Sequence, residues 1–368
     1  MRQPLGETLA GSRASWDALV SAMPHATPFH SWAWHRAAEE STPPSERSRR
    51  SSLQLAAADG TPEAILPLLA QRVPFRRAQV RALGWASGLA ACPDHLDILA
   101  RPGAEVEAFV PVLEALPWDA IILSDVAERA PGVERLTSAF AARGHHVTRA
   151  PLHCCPYLDL PADWDAYLAM QSPTRRQLLR RKERKLAREH AATLTEYAAD
   201  RFDDGWQLLL DLHQRRWGGP GAFADPSVTT HLRVFRSLVT APADFWLTTL
   251  DLDGQPAAAW CGFAWRDTVY FYQGGRDPRW DAESAGVVLM AKMIRRAIEA
   301  GYRRFDFMRG DESYKRSWTS TARCTYEVVI FRPSWRGAWL RGLDLARRAR
   351  HRLRGVAPVR AAVEARSP

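Results

Sequence analysis

Three apolar strands joined by tight turns, then a glycine pair, an amphipathic helix and a fourth strand, constrain the C-terminal half of this chain more than anything else in it. Phe245 to Leu250 turns at Asp253-Gly254 into Pro256 to Trp265, which turns at Arg266-Asp267 into Val269 to Gln273. Such pairs suit short hairpins, so the three strands form a meander. Gly274 and Gly275 lead into Glu283-Ser284-Ala285-Gly286, and an apolar stripe at Val287, Met290, Ile294 and Ile298 marks a helix ended by Gly301. Phe305-Asp306-Phe307-Met308 then alternates as a strand, which puts the polar run Arg309 to Lys315 at its exit.

That succession reads as a group-transfer site. A small-residue turn at a helix start leaves backbone N–H groups free beside a positive dipole end, a setting that suits phosphate. Ser284, Ala285, Gly286 and Val287 are the candidate cradle, with Gln273 and Gly274 at the strand end before them; a plain helix cap uses the same residue types. Lys315 and Arg309 have the charge to hold a phosphate or an oxyanion, or else to pair with Asp311 and Glu312. Tyr314 is a candidate proton donor to a leaving group, and also a typical packed aromatic. Asp306 is a candidate base, with loop capping or a pair with Arg304 as the structural alternatives. His213, in a helix beside Arg216 and Trp217, joins Tyr272, Arg309, Asp311 and Trp318 as a candidate for binding the acceptor, although a lone helical histidine is more often structural.

The chain has 368 residues, 46% hydrophobic and 25% charged, which are globular values that point to two domains. Its net charge of +9 is unevenly placed. Eight basic residues between Arg175 and Arg188 face Glu183 alone, and ten arginines between Arg332 and Arg366 face Asp344 and Glu364. Those segments carry +15 and leave the remainder 6 negative, so the basicity is local and no whole-protein nucleic-acid signature exists. Ser172-Pro173 starts the first basic segment as a helix to about His190, with few apolar residues (Leu178, Leu179, Leu186); it reads as a solvated connector, with phosphates of tRNA, a nucleotide sugar or a lipid head group as the alternative contacts. In the second, Trp335, Trp339, Leu343, Ala346 and Leu353 fall near one helical face amid arginines, the composition of a helix for an anionic membrane surface; docking of both tryptophans onto the domain is the alternative.

Cys92, Cys154, Cys155, Cys261 and Cys324 show no zinc spacing, so no metal is expected, and Cys154-Cys155 reads as opposite faces of one strand. No apolar run is long enough to cross a bilayer and the N-terminus lacks a signal-peptide core, which predicts a cytoplasmic protein, peripheral to the inner membrane if the C-terminal helix binds it.

The N-terminal half repeats the element order loosely. Helices near Trp16 and Trp34 precede strands at Leu53 to Ala58, Ala64 to Leu69 and Gln79 to Leu83; a helix at Val106 to Leu116 and the strand Ala120 to Leu123 follow, then Glu134 to Arg143 and strands around Val147 and Leu158. This order resembles the Gcn5-related N-acetyltransferase (GNAT) fold, twice. Pro28-Phe29-His30-Ser31-Trp32, Tyr157-Leu158-Asp159-Leu160-Pro161 with the arginine-rich helix, Leu212 to Trp217 with Gly221-Ala222-Phe223, and above all Asp306 to Lys315 are similar to the tandem acetyltransferase-like family of cellulose and exopolysaccharide synthesis, related in fold to Fem-type aminoacyltransferases. The resemblance implies an α/β fold with mixed sheets, in two tandem GNAT-like domains at 1–162 and 192–333, joined by a basic helical connector (163–191) and followed by a tail (334–368). It implies an acyltransferase that moves an acyl group from acyl-CoA to an amine or hydroxyl of a sugar or envelope precursor, with Tyr272 and Asp306 flanking the donor. A tRNA-dependent Fem-type transferase and a non-catalytic accessory protein are the alternatives. One departure stands out: Ala282 to Gly286 has a single glycine where the usual loop has two small positions, and Glu283 repels a pyrophosphate if it points inward.

Overall fold

The computed structural model describes residues 2–75, 78–240 and 244–353. In chain order the strands are β1 (Arg2–Pro4), β2 (Arg50–Ala56), β3 (Pro62–Phe75), β4 (Ala78–Trp85), β5 (Leu99–Ala100), β6 (Ala120–Val126), β7 (His146–Asp159), β8 (Ala192–Glu196), β9 (Asp244–Leu252), β10 (Gln255–Trp265), β11 (Thr268–Arg276), β12 (Arg304–Asp306) and β13 (Ala322–Phe331). They make one sheet in the order β1-β2-β3-β4-β6-β13-β7-β12-β11-β10-β9-β8, with β5 on β3. Counted inward from either edge, three antiparallel steps precede one parallel step, β4 to β6 in the first half and β11 to β12 in the second. Two copies of one topology meet at β7 and β13.

Those two strands are exchanged. β13, the last strand of the second half, lies between β6 and β7, and β7 lies between β12 and β13. They pair antiparallel from Ala322 opposite Pro156 to Phe331 opposite His146. The tandem arrangement is therefore present, but the ranges 1–162 and 192–333 do not enclose two self-sufficient sheets. The separate strands expected around Val147 and Leu158 are also one strand of 14 residues. Pro151 is accommodated where the register shifts between Thr325 and Tyr326, an irregularity that spares the sheet a lost hydrogen bond. On this strand Cys155 is buried and Cys154 half-buried, and both thiols are free.

The two halves also share a core. On one face Trp34 packs edge-on to Phe235 at 5.1 Å and to His231 at 4.2 Å, joining the N-terminal helix Trp32–Ser41 to the C-terminal helix Pro226–Leu238. On the other, the helix Ala285–Glu299 lays Val288, Leu289, Ala291, Ile294, Ala297 and Ile298 against Trp260, Phe271 and Phe305. Val287, expected in that buried stripe, is instead half-exposed at a cavity edge. The basic helix Pro173–Glu189 is capped by Ser172, whose hydroxyl accepts from the Arg175 amide, and it docks through Leu179 and Leu186 while most of its arginines face outward.

Candidate active site

β11 and β12 run parallel for three positions, Thr268 with Arg304, Val269 with Phe305 and Tyr270 with Asp306, and then part. β11 continues to Arg276 along β10 alone. The chain after β12 follows β7, with the Phe307 amide donating to Pro156 O at 2.9 Å and the Gly310 amide to Cys154 O at 2.9 Å. The fork between them opens into a cavity of about 450 Å³. Phe271, Gly274, Gly275 and Arg276 form one wall, Ser284 to Val287 a second, Tyr314, Ser317 and Trp318 a third, and Arg216 reaches in from the helix Phe202–Trp217.

Gly275 is what lets that helix approach: a Cβ there would collide with the backbone at Leu212 and His213. At the second wall Ser284 adopts φ of +60° and its side chain makes no capping bond. The first amides of a helix have no intrahelical partner, so a start without a side-chain cap bordering a cavity has donors to offer an anion. Glu283 is not among the residues lining the cavity, which removes the expected repulsion. Arg276 is matched by Asp281. Arg216 makes no ion pair among the described residues; its guanidinium stands 5.0 Å above the Tyr314 ring and donates to Gly274 O at 3.5 Å. It is the cation of the cavity left without a carboxylate, a role its sequence neighbourhood did not reveal. Burial, reinforced by Glu312 and opposed by Arg216, pushes the Tyr314 hydroxyl up to about 12, so it keeps its proton at neutral pH.

The remaining expected site residues lie off the cavity. His213 is buried against Phe223 at 4.8 Å, near Gln273; burial, with the nearby Arg216 charge, lowers it to about 4 against the opposing effect of Gln273 and leaves it neutral. Tyr272 packs on Phe263 and donates to Ala91 O at 2.7 Å. Asp311 pairs with Arg316. Lys315 is buried, with Nζ on Arg309 O at 2.5 Å and Glu312 at 3.1 Å, so the ion pair that the sequence allowed is the one formed. Arg309 is not an open phosphate ligand: its Nε meets Asp94 Oδ1 at 2.7 Å, its Nη2 lies 3.1 Å from Asp125, and its amide donates to Asp94 Oδ2 at 2.8 Å.

Asp306 belongs to the same buried polar cluster. Its Oδ1 accepts from the Met308 amide at 2.7 Å, and its Oδ2 faces Arg323 at 2.5 Å and His95 Nε2 at 3.5 Å. The partner weighed for it in the sequence, Arg304, pairs with Asp159 across the β12–β7 ladder instead, while Arg323 of β13 takes the Asp306 carboxylate. Burial alone would raise the Asp306 carboxyl, but Arg323, His95 and the Met308 amide outweigh it and hold the group well below the usual carboxylate range. A carboxylate held that low accepts protons poorly and is better suited to orienting His95. Cys92, His95, Asp125 and Met308, four of the seven non-glycine residues with positive φ among the described residues, lie in or next to this cluster, so backbone strain is concentrated where the halves meet. Asp94, His95 and Asp125 come from the N-terminal half, some 180 to 215 positions away from their partners, and no local pattern announces them.

The N-terminal half has the same fork, closed. Beyond Ala82 with Ala120 and Leu83 with Ile121, Leu96 bridges Val126, its amide donating to Asp125 O at 2.8 Å while Ala127 donates back to Leu96 O at 2.9 Å.

The acetyltransferase (GNAT) domain family matches residues 173–316, the stretch that contains the open fork. No curated protein matches the sequence. Among solved structures the chain is similar to FemX, at 11% identity and a TM-score of 0.56 over 86% of this chain and 95% of that one. It is similar also to the C-terminal domain of a putative lysylphosphatidylglycerol synthetase from Agrobacterium fabrum, at 11% identity and a TM-score of 0.54 over 90% and 95%. These likenesses are of fold. The architecture is GNAT-like, in tandem.

Proposed function

We propose that the protein is an acyltransferase that binds an acyl-CoA in the fork of its C-terminal half and passes the acyl group to an amine or hydroxyl of a sugar or cell-envelope precursor, as in exopolysaccharide synthesis. The carrying observation is the helix start at Ser284, free of a side-chain cap, facing the same cavity as the carboxylate-free Arg216. The amides of Ala285 and Gly286 would hold the donor's phosphates, with Arg216 supplying the countercharge. The bound donor contributes an acyl group activated as a thioester. Tyr314, protonated at neutral pH on the cavity wall, would give its proton to the departing sulfur as the new acyl bond forms, and the proton that the acceptor N–H or O–H sheds would return through solvent to the tyrosinate. The Gly274 carbonyl, within the β11 wall, accepts from Arg216 at 3.5 Å and so links that wall to the helix Phe202–Trp217.

Isothermal titration with acetyl-CoA tests this reading. Gly286→Glu should abolish binding with little loss of stability, because a Cβ at Gly286 meets only Arg276 Cδ at an ordinary 3.4 Å. Unchanged affinity would refute the cradle.

A second reading, an aminoacyl-tRNA donor of the Fem type, is favoured by one observation. The basic helix borders the cavity: Arg175 lies 4.5 Å over the Trp318 ring and donates to Ser317 Oγ at 3.1 Å, and Lys185 Nζ reaches Ala282 O at 3.5 Å. Its exposed arginines exceed what a single coenzyme needs. A tRNA gel shift that weakens steeply with salt would favour it, and turnover of acetyl-CoA without RNA would decide for the first reading.

A further inference from the structure

The terminal helix, Trp335–Leu353, turns its larger apolar residues the wrong way for a helix that only docks on its own domain. Its inward side is slight. Leu340 enters a small cluster with Val80, Ala120, Val329 and Phe331, Gly337 lies against the Arg332 backbone, and Asp344 is buried. Its outward side presents Trp335 at 76% exposure, Trp339 at 46% and Leu345 at 51%, with Ala338 and Gly342 exposed between them. The spacing from 335 through 338, 339 and 342 to 345 is one helical face. The docking of both tryptophans, left open by the sequence, is not what the structure shows, and Leu343 is half-buried rather than on the outer face. Ala346 and Leu353, placed on that face by the sequence, lie outside the described side chains, and 354–368 outside the described residues.

Charge decides what covers this face. Arg336 and Arg341 flank it, both exposed, whereas the acidic Asp344 is turned inward and offsets nothing on the outer side. Beyond Leu345 the sequence adds Arg347, Arg348, Arg350, Arg352, Arg354, Arg360 and Arg366 against Glu364. A second copy of the chain would bring these arginines against one another. An anionic lipid surface complements them, and tryptophan, with an apolar ring and a polar N–H, is the side chain best suited to the headgroup boundary. No helix among the described residues is long and apolar enough to cross a membrane, so such a contact lies in the plane of the surface.

We propose that Trp335–Leu353 is an interfacial helix that seats the protein on an anionic bilayer, with Trp335, Trp339 and Leu345 entering the headgroup region and the arginines meeting lipid phosphates. The full-length protein should co-sediment with phosphatidylcholine vesicles containing phosphatidylglycerol roughly tenfold more strongly than with phosphatidylcholine alone, and added salt should erode the difference. Tryptophan emission should shift to the blue on binding. The double variant Trp335→Ala/Trp339→Ala should lose the binding while keeping its melting temperature and acetyl-CoA affinity, which separates this proposal from the donor assignment. Equal or absent binding to both vesicles would overturn it. So would a concentration-dependent dimer in light scattering that the double variant abolishes, since the face would then belong to a second copy.

Discussion

Past their parallel steps the two halves diverge. Between β4 and β6 the chain uses its own residues, Leu96 bridged to Val126, to fill the fork. Between β11 and β12 the intervening chain forms the helix Ala285–Glu299 with its start turned on the gap, and a cavity remains. The shared topology supplies a fork twice; the connecting segment decides whether it becomes a wall or a site. The filled fork has a use as well. The segment that closes it also delivers Asp94 and His95 to the C-terminal half, where they hold Arg309 and face Asp306.

The largest expected effect comes from dividing the halves. Residues 192–368 expressed alone lack β7, so β12 and β13 lose the strand between them, and far-UV circular dichroism with thermal melting should show no cooperative transition. A well-folded fragment would mean that the exchange is dispensable. Next, Arg309→Met strips a buried pairing from Asp94 and Asp125, and urea titration should register a loss of about 3–5 kcal/mol. A change within about 0.5 kcal/mol would show that the cluster does not bind the halves together. Confined to the open fork, Tyr314→Phe should lower kcat by about 100-fold with KM nearly unchanged and stability intact, as steady-state kinetics with acetyl-CoA and an accepted amine would reveal.

The smallest effect is shared by both halves. His30 is lowered to about 4 by burial despite a Thr27 hydrogen bond, and His231 to about 3 by burial with the Arg50 charge. Both stay neutral when folded, whereas the unfolded chain takes up protons near the ordinary histidine value of about 6.5. Stability should therefore be fully present above that value and fall as pH drops toward 4, since the unfolded state binds more protons in this window. His231→Gln should flatten the slope of melting temperature against pH; an unaltered slope would exclude His231 as a source.

Much of this was legible in the residues because it is local. Asp253-Gly254 and Arg266-Asp267 mark real hairpins, the helix after Ser284 begins within one residue of its expected start, and Gly274, Ser284 to Val287, Tyr314 and Trp318 do line one cavity. What escaped is long-range. The strands expected around Val147 and Leu158 are one because β13, about 175 residues further on, pairs with β7 along its length and absorbs Pro151 at a register shift. Alternation told that Asp306 faces away from Phe305, yet its partners His95 and Arg323 arrive from other strands and loops, so the residue weighed as a base, a loop cap or a partner of Arg304 is buried on groups the local sequence does not contain. The Lys315 pair with Glu312 lay within reach of the sequence because it is local, whereas the Asp94 and Asp125 carboxylates that hold Arg309 come from the other half.

The exchanged strands set an order of events on the ribosome. The N-terminal half is synthesised with a vacancy between β6 and β7 that only Ala322–Phe331 fills, so its core must wait, with strand edges unsatisfied, until nearly the whole polypeptide has emerged. A premature stop anywhere before β13 would thus compromise both halves together, even though each carries a full copy of the three-strand-and-fork pattern.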